Sequence, residues 1–157
     1  MEINVLIEES LENYLESSWL EDVARQVLMA ENVDPKAELG LVIVGQEKIR
    51  QLNLSYLGKD APTDVLSFPM FFGQSGQGNT SFVAPPDETK HLGEVIISYP
   101  QAVIQAEEHQ HPVKEEVALL VIHGILHLLD YDHDRPDLEQ KMRNRESEIL
   151  SDIRGRS

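Results

Sequence analysis

The stretch that decides the fold runs Val117-Ala118-Leu119-Leu120-Val121-Ile122-His123-Gly124-Ile125-Leu126-His127-Leu128-Leu129-Asp130-Tyr131-Asp132-His133. From Val117 onward the residues are apolar nearly all round a 3.6-residue helix, the pattern of a helix enclosed by the rest of the protein. Two histidines interrupt it four residues apart, so their side chains lie on one face, one turn apart. Burying two imidazoles without partners is expensive, and a single ion would satisfy both. A turn after the helix folds His133 back towards them. Three neutral nitrogen ligands and an open fourth position are what separate a catalytic zinc site from a structural one. The predicted ligands are therefore His123, His127 and His133, holding one zinc ion per chain. Nickel or copper would take the same nitrogens in recombinant protein.

This spacing matches the metzincin peptidase pattern H-E-x-x-H-x-x-G-x-x-H, in which the glutamate is the general base. Gly124 stands in the glutamate's place and cannot move a proton. Asp130 stands where the pattern has its glycine, a position that Asp fills less easily if the backbone is left-handed. The ligand set survives without its peptidase base, which argues against peptide hydrolysis.

Outward from this helix the chain reads as α+β, without internal repeats. Ile3 to Glu8 suggests a first strand. Ser18-Trp19-Leu20-Glu21 has the form of a capping box, followed by Leu20, Val23, Ala24, Val27 and Leu28 at helical spacing. Glu38 to Val44 is strand-like, a short helix covers about 46–56, and Asp64 to Phe72 forms the next strand. Gly73 to Lys90, rich in Gly, Ser and Pro, has the composition of a flexible insertion. Leu92 to Tyr99 is a further strand, with Pro100 placed to open a helix. Pro112 opens the central helix in the same way. A last helix from about Pro136 to Ile153 carries Leu138, Met142, Ile149 and Ile153 on one stripe, which is core. The expectation is a single small domain over residues 1–157. In it a mixed four-stranded sheet is packed by about five helices, and the metal sits at one end of the central one.

Three blocks resemble the YbeY family of bacterial endoribonucleases. His123-Gly124-x-Leu126-His127-Leu128-x-x-Tyr131-Asp132-His133 is similar to the family signature H-G-x-L-H-L-x-G-Y-D-H. Leu52-Asn53-x-x-Tyr56-x-Gly58-Lys59-Asp60-x-Pro62-Thr63-Asp64-Val65-Leu66-Ser67-Phe68-Pro69 resembles its second characteristic stretch. Leu92-Gly93-Glu94-Val95-Ile96-Ile97 fits the strand between them. With compatible length and element order, the resemblance spans essentially the whole chain. It implies single-strand-specific RNA cleavage, maturation of ribosomal RNA at the 3′ end of the small-subunit RNA, and ribosome quality control. The partners it implies are single-stranded RNA, ribosomal RNA and ribosomal particles, and it places zinc on His123, His127 and His133. Asp130 departs from the family glycine. Leu57 departs from a common arginine thought to serve cleavage; Lys59, two residues on, is the candidate replacement cation, set against the ordinary reading of a solvated surface lysine.

Composition sets the bounds. A chain of 157 residues is one domain with room for a real core. There is no cysteine, hence no disulfide-linked partner, which agrees with a reducing compartment. Met1-Glu2-Ile3-Asn4-Val5 shows no secretory leader, and no apolar run approaches the roughly 20 residues of a membrane span. A cytoplasmic enzyme with no membrane partner is the expectation. Net charge is the observation that resists the RNA reading: 28 acidic residues against 13 basic give −15, whereas nucleic-acid binders carry a basic footprint. Arg135, Lys141, Arg143 and Arg145 follow the histidines, among acidic neighbours that suit a solvated helix face. The charge predicts weak unaided RNA affinity and dependence on a ribosomal context.

For chemistry, attack by activated water and attack by the ribose 2′-hydroxyl both fit three imidazole ligands. Asp132 either orients an imidazole or caps the turn. Asp64 and Ser67 are expected to line the cleft and, with Lys59, to bind substrate; Thr63 and Asp64 read equally well as turn residues. His91, His109 and His111 are expected to face solvent. A zinc hydrolase acting on another small substrate and a non-catalytic ribosome-associated factor are the alternatives to the endoribonuclease.

Overall fold

Two strands rich in Leu, Ile and Val, Ala37–Val44 (β2) and Lys90–Ser98 (β4), form the middle of a four-stranded sheet, as buried strands do. The structure is a computed structural model. It describes residues 1–69, 90–129 and 136–156, and among these the side chains of all but 90, 136–139 and 154–156. Glu2–Ile7 (β1) pairs with β2 in parallel, β2 pairs with β4 in parallel, and Val65–Pro69 (β3) pairs with β4 antiparallel. The order β1-β2-β4-β3 makes the sheet mixed. Among the described residues there are five α-helices, Ser17–Ala30 (α1), Gln46–Leu57 (α2), Tyr99–His109 (α3), Val113–Leu128 (α4) and Pro136–Arg156 (α5); the first four pack on the sheet, and α5 packs on α1 and α4. The α+β fold read from the sequence is the fold observed.

Side-chain alternation divides the sheet between two cores. Leu39, Leu41, Ile43, Val95 and Ile97 face α1, α4 and α5 in the larger one. Val44, Ile96 and Leu66 face Ile49 of α2 in the smaller. Fully burying each such Leu or Ile contributes about 1.5–3 kcal/mol. The helix read as central is central: Val117, Val121, Ile122, Ile125 and Leu126 of α4 are all fully buried. Met142, Ile149 and Ile153 of α5 are core as expected, while the side chain of Leu138 lies outside the described residues.

Several expectations are corrected at helix starts. Ser18 does not cap α1; the helix already includes Ser17, its cap is Glu16, and no side chain accepts a capping bond. Pro100 is not the first residue of α3. Ser98 caps that helix through Oγ, which accepts from the backbone N–H of Gln101 at 3.3 Å, and Tyr99 precedes the proline. Pro112 is the extended cap residue before α4. β4 begins at Lys90, and the remainder of the insertion expected over 73–90 lies outside the described residues, as does the part of the expected strand after Pro69.

Candidate metal centre and its cleft

The last two turns of α4 carry His123 and His127, both half-buried. Their ring centroids are 4.9 Å apart, with planes inclined at 68°. Nδ1 of His123 lies 2.6 Å from Oε2 of Glu146 on α5. That carboxylate accepts the Nδ1 proton and so leaves Nε2 of His123 with its lone pair, the tautomer that metal-ligating histidines usually adopt. These two residues fit a zinc ligand pair in spacing and nitrogen chemistry, and His123 does so in tautomer as well. His133, Asp130 and Asp132 lie outside the described residues, as does Arg135.

Gly124, between the two histidines, explains why no glutamate stands there. A Cβ at this position would come within 2.4 Å of Cγ1 of Val95 and 3.3 Å of Cγ2 of Val65. The helix therefore presses directly on β3 and β4, and the metzincin base has no room. Strand alternation turns Val65 and Ser67 towards α4 and Leu66 and Phe68 towards α2. Ser67 uses this position: its hydroxyl donates to the Gly124 carbonyl at 3.0 Å.

His123 opens onto a cleft of about 330 Å³ that runs back along α4, lined by Asp64, Glu108, His109, Glu116, His123 and Glu146 among others. Asp64 is thus brought to the histidines. Its Oδ1 accepts from the backbone N–H of Val65 at 2.8 Å, and its Oδ2 accepts from Gln105 at 3.2 Å. Lys59 is exposed and is not among the lining residues, and neither is Ser67. No lysine or arginine lines this cleft among the described residues. Of the cations after the histidines, Lys141 and Arg143 are exposed. Arg145 is committed to structure, pairing with Glu31 and donating to the carbonyl of Ala30 at 2.6 Å, which ties α5 to α1.

A family profile described as Endoribonuclease YbeY matches residues 4–154. The chain belongs to the endoribonuclease YbeY family. An Endoribonuclease YbeY of Dehalococcoides mccartyi strain 195 is 46% identical over 157 residues, covering 98% of this chain and 91% of the relative. One from Roseiflexus sp. strain RS-1 is 43% identical over 138 residues, covering 87% and 83%. The solution structure of TM1509 from Thermotoga maritima superposes with a TM-score of 0.58 at 25% identity, over 98% of this chain and 93% of that one.

Much of the second YbeY-like block proves architectural. Gly58 ends α2 in a left-handed conformation (φ 72°), where a β-carbon would be strained, and its N–H donates to Leu54. The N–H of Lys59 returns to the Asn53 carbonyl at 3.3 Å. Asn53, buried, donates from its side chain to the Ala61 carbonyl at 2.8 Å. Arg50 clasps Asp60 and Glu47, holding the Glu47 carboxyl below the usual carboxylate range. Leu57 remains half exposed on the last turn. The block fixes how the chain leaves α2 and enters β3, which carries Ser67 to α4.

Of the three histidines expected to face solvent, His109 does so, while His91 and His111 are partly covered. His91 pairs with Glu38. His111 is largely covered, and together with exposed His109 it meets buried Glu116; the three offer ligand atoms within 4.8 Å of one another. The available signal was His-x-His followed five residues later by glutamate, across a predicted helix break at Pro112. No described helix is long and apolar enough to cross a membrane.

Proposed function

We propose that this chain is a single-strand-specific, zinc-dependent endoribonuclease that matures ribosomal RNA at the 3′ end of the small-subunit RNA and serves ribosome quality control. Within a family whose relatives bear the name endoribonuclease, one observation carries this reading. His123, paired on α4 with His127 and held at Nδ1 by Glu146, lines a cleft of about 330 Å³. His123, His127 and His133 hold the ion. Zinc bound there supplies Lewis-acid stabilisation of charge developing on the phosphate.

The chain's own residues do the rest. Glu146 keeps the Nδ1 proton of His123 and with it the ring's orientation. Ser67 sets the height of α4 over the sheet and borders the bound strand beside it, while Asp64 orients polar groups of the substrate in the cleft. Lys59 meets a flanking phosphate outside the cleft. The cleft's carboxylates repel RNA, so ribosomal particles supply most of the affinity, through contacts with basic ribosomal proteins. Peptide hydrolysis is disfavoured by the packing of Gly124.

The deciding experiment incubates zinc-loaded protein with unstructured RNA. Cleavage should occur, stop on chelation and be absent from His127→Ala. RNA left intact by fully zinc-loaded protein would favour a non-catalytic ribosome-associated factor instead.

A further inference from the structure

We infer that the corner between α3 and α4 is a second metal site, in which His109, His111 and Glu116 take a transition-metal dication such as zinc. The site rests on proton counting. Nδ1 of His111 lies 2.8 Å from Oε2 of Glu115, and Nε2 of the same ring lies 2.5 Å from Oε1 of Glu116. A neutral imidazole has one N–H. One of these two contacts therefore sets a ring lone pair against a carboxylate oxygen unless a cation, whether proton or metal, serves it. His109 brings Nδ1 to 3.0 Å from that same Oε1, so two imidazoles converge on a single carboxylate oxygen. The Glu116 side chain is only 4% exposed, and a buried carboxylate demands compensating charge.

A metal ion meets these demands together. Glu115 takes the Nδ1 proton of His111, leaving Nε2 to ligate, the carboxylate–histidine–metal relay seen at other sites. Two imidazoles and one carboxylate form a donor set suited to zinc, nickel or copper. The ligand atoms must spread to about 3.3 Å apart around bonds of about 2.0 Å, and His109, 56% exposed, has room to yield. Gln110 makes the convergence possible: its left-handed backbone (φ 56°) ends α3 just after His109 and brings His111 back towards the first turn of α4.

Glu116 precedes His123 by seven residues, so the two sites stand about 10 Å apart along α4. That is too far for a shared two-metal centre, which needs about 3.5–4 Å. Both lie on the same acidic cleft. A dication at the corner offsets the charge of Glu108 and Glu116, which otherwise repels a phosphodiester chain.

The test uses chelator-stripped protein dialysed against zinc buffered at low-micromolar free ion, with elemental analysis and thermal melting. His123→Ala/His127→Ala protein should still hold one zinc per chain, and zinc should raise its melting temperature. Adding Glu116→Gln, which keeps size and removes charge, should lower retained zinc at least about 10-fold, the scale of losing one ligand or its support. Adding His111→Ala should do the same, and circular dichroism confirms that each variant is folded. Zinc absent from the double variant, or undiminished after Glu116→Gln, would overturn the site. Neither result depends on whether the chain cleaves RNA.

Discussion

The two ends of α4 carry the same chemistry by different construction. At the C-terminal end His123 and His127 sit one turn apart on a single helix, and Glu146 reaches His123 from α5. At the N-terminal end Glu115 and Glu116 stay on the helix, while His109 ends α3 and His111 follows it across a left-handed turn. A pair fixed by helical period is specified by spacing alone. A cluster fixed by a turn depends on one backbone conformation at Gln110. The difference also bears on robustness, since a helix holds its i, i+4 geometry wherever it is packed.

The largest expected effect breaks the contact that Glu146 brings to His123 from α5. Glu146→Ala should weaken zinc binding at His123 about 10–100-fold, because the carboxylate fixes both tautomer and ring angle. Zinc bound at the α3–α4 corner should be unchanged. Competition with a chromophoric chelator measures both. Unaltered affinity would mean that α4 alone presents the histidine pair and that Glu146 is an incidental neighbour.

How much could be read beforehand follows the same division. The central helix, its burial and the His123–His127 pair were legible because a single period, 3.6, governs all three. The strands were legible as apolar segments, while their order and directions come from the tertiary fold. Glu146 was invisible: it lies 23 residues beyond His123, on a helix whose register against α4 is set by the packing of Met142 and Ile149. The cap of α1 was misread because Ser18-x-x-Glu21 has the right spacing, but the helix starts before it. His109 is exposed as expected, but His111 was placed in solvent because nothing local announces that Glu116 is buried. Ser67 was expected to line the cleft and bind substrate, and only the tertiary fold shows its hydroxyl on the Gly124 carbonyl.

A smaller effect sharpens the comparison by lifting one end of the helix only. Gly124→Ala gains helix propensity of about 1 kcal/mol. Against that, the new methyl meets the stiff, fully buried Val95 at 2.4 Å, and overpacking costs about 1–3 kcal/mol. Overpacking should win, with a net loss of about 1 kcal/mol in denaturant melts. Zinc affinity should fall at His123–His127 and hold at the corner two turns away. A stabilised variant would show that the sheet yields at Val95 and that Gly124 is not required for the approach.

The smallest effect separates support from substrate contact. Ser67 donates to the Gly124 carbonyl, whose ordinary helical partner is the N–H four residues on, near the C-terminal end of α4. Ser67→Ala removes that donor and leaves the carbonyl with its helical bond, so the expected loss is about 0.5–1.5 kcal/mol of stability. The cost should be at the lower end, because the carbonyl is not orphaned. If Ser67 also borders bound RNA, KM for a short single-stranded substrate should rise while kcat holds, since a lost ground-state contact weakens binding without touching the reacting phosphate. If it only braces α4, KM should hold and kcat should fall slightly as the histidine pair shifts with the helix. Steady-state kinetics together with a urea melt distinguish the two, and an unchanged melt with unchanged kinetics would deny Ser67 both roles.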